Sequence, residues 1–286
     1  MLKLTRAFAA LLVICVALPC GAQSEPPVSA HHSYLGFDKN EYPGDAALPA
    51  LRRSFRFAGF WLNNPPGALQ NGWTGKRALL KKHGFGFLVL FNGRLDAELK
   101  GKDAAALGTA DGKAAAAAAA REGFAGNVRI FLDQEEGGRL LPEQAAYLFA
   151  WVDAVRAAGA RAGVYCSGID VPDGNGTIST ARDIAGREEA AAKQGRLALW
   201  VANDACPPAP GCTLKNPPLR LVVTPELRDF VAVWQYAVSP RRAQFSAACP
   251  KNDAADQNCY APGMARTADS VVDLNTADST DPSEGP

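Results

Sequence analysis

The sequence predicts an α/β chain folded as a (β/α)₈ TIM-like barrel, somewhat irregular in its last third. Three observations predict it. Eight short apolar runs recur between residues 34 and 274, most of them continuous rather than alternating, as in strands covered on both faces of a parallel sheet. Helix-forming stretches separate most of these runs. The length, 286 residues with 48% hydrophobic content, suits one large barrel or two small domains. A doubly wound open sheet is the structural alternative, but no Gly-x-Gly-x-x-Gly follows a strand, which counts against its dinucleotide-binding form.

The expected strands are residues 34–38, 57–62, 85–91, 128–133, 162–166, 197–202 and 230–236, with a weak eighth at 270–274. The expected helices are 46–53, 74–83, 112–122, 142–158 and 181–195. Thr74 is the expected N-cap of the second and Gly84 its stop. The alanine-rich 112–122 run reads as a strong helix former with a small footprint against a sheet. Pro142 opens the next helix and Gly159 ends it. Residues 204–224 and 239–269 are Pro-, Cys- and Gly-rich, so the last crossovers are expected to be loops.

Residues 1–22 read as a secretory signal peptide. Lys3 and Arg6 precede an apolar run from Ala7 to Leu18, and small residues follow, with cleavage expected after Ala22. A lipidated Cys20 is the alternative, and Pro19 fits it poorly. No run reaches the ~20 apolar residues of a membrane span. The expected product is exported, periplasmic or extracellular. Cleavage removes two basic residues and no acid, taking the formal charge from +1 to −1. That balance suggests neither a nucleic-acid nor a membrane-surface partner. Residues 23–33 are expected to be a flexible leader, 34–277 the barrel and 278–286 a disordered tail.

Five cysteines follow residue 22. An exported chain makes disulfides reasonable. Cys206 with Cys212, and Cys249 with Cys259, are the simplest pairs, although four cysteines allow three connectivities. Cys166, inside an apolar run, is expected to be a buried, inert thiol. No His-Glu-x-x-His or Cys-x-x-Cys occurs, so neither metal nor cofactor is expected. Ser167 lacks the glycine pattern of a nucleophile elbow.

Barrel chemistry sits where strands end. The first run ends at Asp38, the fourth ends in Asp133-Gln134-Glu135-Glu136, and the last contains Asp273. Asp133 and Glu135, two residues apart, are expected on one face at roughly 6.5 Å spacing. Two carboxyls so placed can split their roles, one protonating a leaving oxygen and the other staying ionised. Gln134 and Glu136 are expected to point away. The plainer reading is that such acids cap loops or pair with arginines such as Arg139. Asn92, Trp61, Trp200 and Asn203 also end strands, a mix that suits a saccharide cleft. In Trp234-Gln235-Tyr236, the tryptophan is the expected core residue, while Gln235 and Tyr236 are the cleft candidates.

The order Asp38, Asp133-Gln134-Glu135, Trp234-Gln235-Tyr236, Val272-Asp273-Leu274-Asn275 resembles glycoside hydrolase family 25, the secreted lysozymes that cut peptidoglycan. A closer overall likeness is to the glycoside-hydrolase-like family of unknown function DUF1906, carried by Gly36-Phe37-Asp38, by Gly75-Lys76-Arg77-Ala78-Leu79-Leu80 and by Gly84-Phe85-Gly86. The resemblance implies a muramidase-like hydrolase of peptidoglycan or a related N-acetylated glycan. Glu135 would be the acid and Asp133 would orient or stabilise the substrate's N-acetyl oxygen as nucleophile. Asp38 and Asp273 would tune those charges. A non-catalytic barrel that binds cell-wall glycan is the alternative. The expected partner is a polysaccharide and the expected state a monomer.

Overall fold

The computed structural model describes residues 32–191, 196–205, 212, 227–246 and 254–285. The expected signal peptide, most of the leader, Cys206 and Cys249 lie outside them. Eight strands close a barrel: β1 (Tyr34–Asp38), β2 (Phe57–Trp61), β3 (Gly86–Asn92), β4 (Arg129–Gln134), β5 (Arg161–Ser167), β8 (Ala198–Ala202), β9 (Val231–Ala237) and β10 (Asp273–Ala277). A small hairpin, β6 (Val171–Asp173) with β7 (Gly176–Ile178), leaves the chain after β5. The predicted barrel is therefore present, with one departure. β10 runs antiparallel to both β9 and β1.

The direction of β10 follows from its connection. Parallel neighbours need a crossover that carries the chain back to the opposite rim. Residues 238–272 hold no such helix among their described residues, only the four-residue α7 (Ala243–Ser246) and a 3₁₀ turn at Ala268–Ser270. The chain therefore re-enters the barrel at the rim where β9 left it.

Helices α1 (Leu48–Ser54), α2 (Arg77–Lys82), α3 (Asp96–Leu99), α4 (Ala104–Arg121), α5 (Pro142–Ala157) and α6 (Thr180–Ala190) cover the barrel. α2 starts after Lys76 rather than at Thr74, because Gly75 takes φ +75° and its N–H is held by the Glu122 carboxylate at 3.0 Å. Gly84 ends α2 as expected, at φ +85°. The Asp103 side chain caps α4 by accepting from the Ala106 N–H at 2.9 Å. The small face of α4 rests on α5, not on the sheet. A Cβ at Gly108 would lie 2.1 Å from the Tyr147 carbonyl oxygen, and one at Gly112 2.6 Å from that of Trp151. The two backbones meet where the side chains vanish, which seals Tyr147 and Trp151 completely from solvent. Burying a side chain of that size contributes about 2–3 kcal/mol.

Residues 278–285, expected to be a loose tail, instead cross the mouth opposite the strand ends. Backbone groups at the starts of strands need partners, and the tail supplies them. Asp281 accepts from the Phe87 N–H at 3.1 Å, Ser283 Oγ from the Val89 N–H at 2.9 Å, and the Ser283 carbonyl from the Arg129 N–H at 2.8 Å. Arg161 donates to the Ser283 and Gly285 carbonyls.

Cys212 is joined to Cys259, across 47 residues, with the Cα atoms 5.3 Å apart. This replaces both expected local pairs. Nearness in sequence favours short loops, but the barrel brings the segments after β8 and β9 to one rim, so partners distant in sequence become neighbours. Cys166 is a free, buried thiol, as expected. Among the described residues, no helix is long and apolar enough to cross a membrane.

Candidate active site

The site is built by strand ends. β1 ends at Asp38 and β4 leads into Asp133 and Glu135. β10 begins at Asp273, which reaches the same rim because the strand is reversed. Room for Asp38 is made by Gly59 on β2, where a Cβ would come within 2.7 Å of the Asp38 Cβ. The four carboxyls line one cleft of about 280 Å³, walled by Trp61, Tyr165, Trp200 and Gln235. Residues Val238, Ser239, Pro240 and Arg242, from the segment between β9 and β10, close one side.

Asp38 is held by two amides. Gln235 Nε2 donates to its Oδ1 at 3.0 Å and Asn275 Nδ2 donates to the same oxygen at 2.6 Å. Burial pushes the Asp38 carboxyl up to about 6, against the pull of the two amides, and the charge of Glu135 adds to the rise. Asp273 accepts from the Ser239 N–H at 2.6 Å. Its burial, with Asp38 opposite, holds it well above the usual carboxylate range.

Asp133 is the anomaly. It is 4% exposed, and neither of its oxygens meets a donor among the described residues; the group beside it is another carboxyl, Glu135. A buried ionised carboxylate without donors is costly, and the group stays protonated instead. Burial, then the charges of Glu135 and Asp38, push it far up, and it donates its proton to Glu135. Glu135 is exposed at the cleft. Desolvation raises its carboxyl, while the Asp133 hydrogen bond and the Arg242 guanidinium draw it down. The pair thus holds a proton beside an open cavity, with one carboxyl behind and one in front.

The other expected residues divide. Gln134 and Glu136 point away, and Glu136 accepts from the Asp96 N–H and from Gln144. Arg139 pairs with Asp173 and Asp183 and leaves the rim acids alone. Trp61, Trp200 and Gln235 line the cleft. Tyr236, expected there, is fully buried against Trp234, because adjacent strand residues face opposite sides and Gln235 takes the inward one. Asn92 and Asn203 do not line the cleft; they fasten loops. Asn92 and Asn63 exchange hydrogen bonds, and Asn203 holds Gly168 and Ala205.

Three residues of the site were missed: Tyr165 and Arg242, which line the cleft, and Asn275, which holds Asp38 from behind it. Tyr165 pairs in register with Asp133 on the next strand, so inward alternation along β5 was the signal that could have found it. Asn275, already in the Val-Asp-x-Asn motif, sits two residues beyond Asp273 on the same face. Arg242 comes from an irregular segment with no periodicity to reveal it. Its guanidinium makes a two-pronged pair with the buried Asp204.

The chain matches the Rv2525c-like, glycoside hydrolase-like domain over residues 56–198. No curated protein matches its sequence. Among solved structures it resembles an uncharacterized protein of B. stearothermophilus, at 19% identity and TM-score 0.52, covering 85% of this chain and 95% of that one. It also resembles the Tat-secreted protein Rv2525c of Mycobacterium tuberculosis, solved in complex with L-tartrate, at 11% identity and TM-score 0.52, covering 90% and 100%. The bacterial lysozyme of Streptomyces coelicolor aligns at 13% identity and TM-score 0.47, covering 86% and 92%. At these identities the first two likenesses speak to the fold.

Proposed function

Because the chain belongs to the Rv2525c-like, glycoside hydrolase-like family, as its motif order implied, we propose that it is an exported glycosidase acting on peptidoglycan or a related N-acetylated glycan. The observation that carries this reading is the donor-less Asp133 behind the exposed Glu135, in a cleft with two further carboxyls. Hydrolysis of a glycosidic bond needs a proton for the leaving oxygen and negative charge for the cationic sugar. The proton that Asp133 holds against Glu135 passes to Glu135, the member open to solvent, which delivers it to the leaving oxygen and leaves Asp133 as the carboxylate. The N-acetyl oxygen of the substrate attacks the anomeric carbon, and Asp133 orients and stabilises it. Asp38 and Asp273, beside the pair, tune its charge. Water then opens the intermediate and returns its proton to Glu135. Trp61 and Trp200 form the apolar backing of the cleft.

A second reading is a barrel that binds glycan without cutting it. It is favoured by the wall that Val238, Ser239, Pro240 and Arg242 build along one side of the cleft. A panel of defined N-acetylated glycans, with products read by mass spectrometry, separates the two. New reducing ends support the glycosidase. Saturable binding with no product over the full pH range supports the second reading.

A further inference from the structure

Two hydrogen-bond chains converge on one oxygen of Asp38, and each begins at a side chain with no direct bond to it. Trp200 Nε1 donates to Asn275 Oδ1 at 2.8 Å, and Asn275 Nδ2 donates to Asp38 at 2.6 Å. Tyr165 OH donates to Gln235 Oε1 at 2.8 Å, and Gln235 Nε2 donates to Asp38 at 3.0 Å. Gln235 and Asn275 are 2% and 0% exposed, set inside the barrel.

An amide can present its oxygen or its NH₂ to a neighbour, and only the hydrogen-bond network decides which. An indole N–H is a donor and nothing else. The Asn275 atom facing Trp200 is therefore its oxygen, and the NH₂ is left aimed at Asp38. A phenol both donates and accepts, so Tyr165 holds Gln235 in the sense that Asp38 requires. The other titratable groups facing Asp38 are Glu135 and Asp133 beside β4, Asp273 on β10 and Tyr165 itself. Every carboxylate among them repels a charge on Asp38, so the two amides are the groups that favour one.

We infer that Trp200 and Tyr165 are positioning residues that fix the NH₂ ends of Asn275 and Gln235 toward Asp38 and keep it a charged, directed carboxylate. They act without contacting that carboxylate. Its consequence for turnover rests on the glycosidase reading, whereas the locking of the amides does not.

The test is a carbon-13 carboxyl titration of Asp38 in the full chain, comparing wild type with Tyr165→Phe, a change that removes one hydroxyl. The buried Gln235 oxygen then loses its donor, and the amide turns or loosens. The Asp38 midpoint should rise by about half to one pH unit. In a Gln235→Ala background the same Tyr165→Phe change should move it no further. Trp200→Phe against Asn275→Ala reads the other arm. An unmoved midpoint in Tyr165→Phe, or an equal shift with Gln235 absent, overturns the inference. A cleft that cuts no glycan yet shows the Gln235-dependent shift overturns the glycosidase reading and leaves the lock standing.

Discussion

Asp38, the last residue of β1, stands directly opposite Asp273, the first residue of β10. Like charges facing each other across a strand pair destabilise it. Burial sharpens that cost and holds both carboxyls above the usual range, and the reversed direction of β10 is what places them together.

Stability should therefore fall as pH rises through the acid range that these groups govern. Asp38 titrates near 6 in the folded chain and near 4 when unfolded. The folded state thus binds more protons between those values. The contribution is complete below about pH 4 and is lost as pH rises through about 6, amounting to roughly 2–3 kcal/mol for this group. Asp38→Asn, whose carbonyl still accepts from both amides, should flatten the stability profile across that window. Urea unfolding at closely spaced pH values checks the slope. A profile as steep as wild type would contradict the assignment.

Arg242 keeps the 1%-exposed Asp204 paired and places a positive charge near Glu135. Arg242→Gln should destabilise the protein by about 3 kcal/mol, because it strands a buried carboxylate. Adding Asp204→Asn should recover much of that loss. Chemical denaturation of the two single variants and the double variant measures the coupling.

Gly108→Ala would gain about 1 kcal/mol of helix propensity on an exposed helix. Here the added methyl meets the Tyr147 carbonyl oxygen at 2.1 Å. The backbone cannot yield cheaply, so the variant should lose about 1–3 kcal/mol, the cost of overpacking. A raised thermal midpoint would refute the close α4–α5 contact.

Peptide mapping under non-reducing conditions should recover Cys212 linked to Cys259 and should find neither the 206–212 nor the 249–259 pair. Closing 47 residues is worth about 4 kcal/mol on a chain-entropy account, so Cys212→Ser with Cys259→Ser should be clearly less stable than wild type. Burial pushes the Cys166 thiol up. It should resist alkylation until the protein unfolds.

The sequence made the strands legible wherever both faces are covered, because short continuous apolar runs between helical stretches read as strands of a parallel sheet. It made Asp38, Asp133 and Glu135 legible because parallel strands end at one rim. Asp273 was placed at that rim for a different reason: it begins a strand that runs backward, which no local pattern in 270–274 encodes. Tyr236 was chosen for its motif, although the two-residue period assigns the inward place to Gln235. Tyr165 obeys that period and was passed over inside an apolar run. Arg242 and the Cys212–Cys259 bond depend on irregular segments meeting in space, and the tail owes its order to unpaired strand starts 120 to 200 residues earlier.

The most direct test of the central proposal is digestion of purified peptidoglycan by the wild-type chain and by Glu135→Gln, with soluble fragments read by mass spectrometry and glycan binding measured in parallel. The proposal expects new reducing ends from wild type, a loss of at least about a hundredfold in Glu135→Gln, and unchanged binding. Equal product from both proteins would remove Glu135 as the acid. Equal binding with no product from either would make the cleft a glycan-binding site.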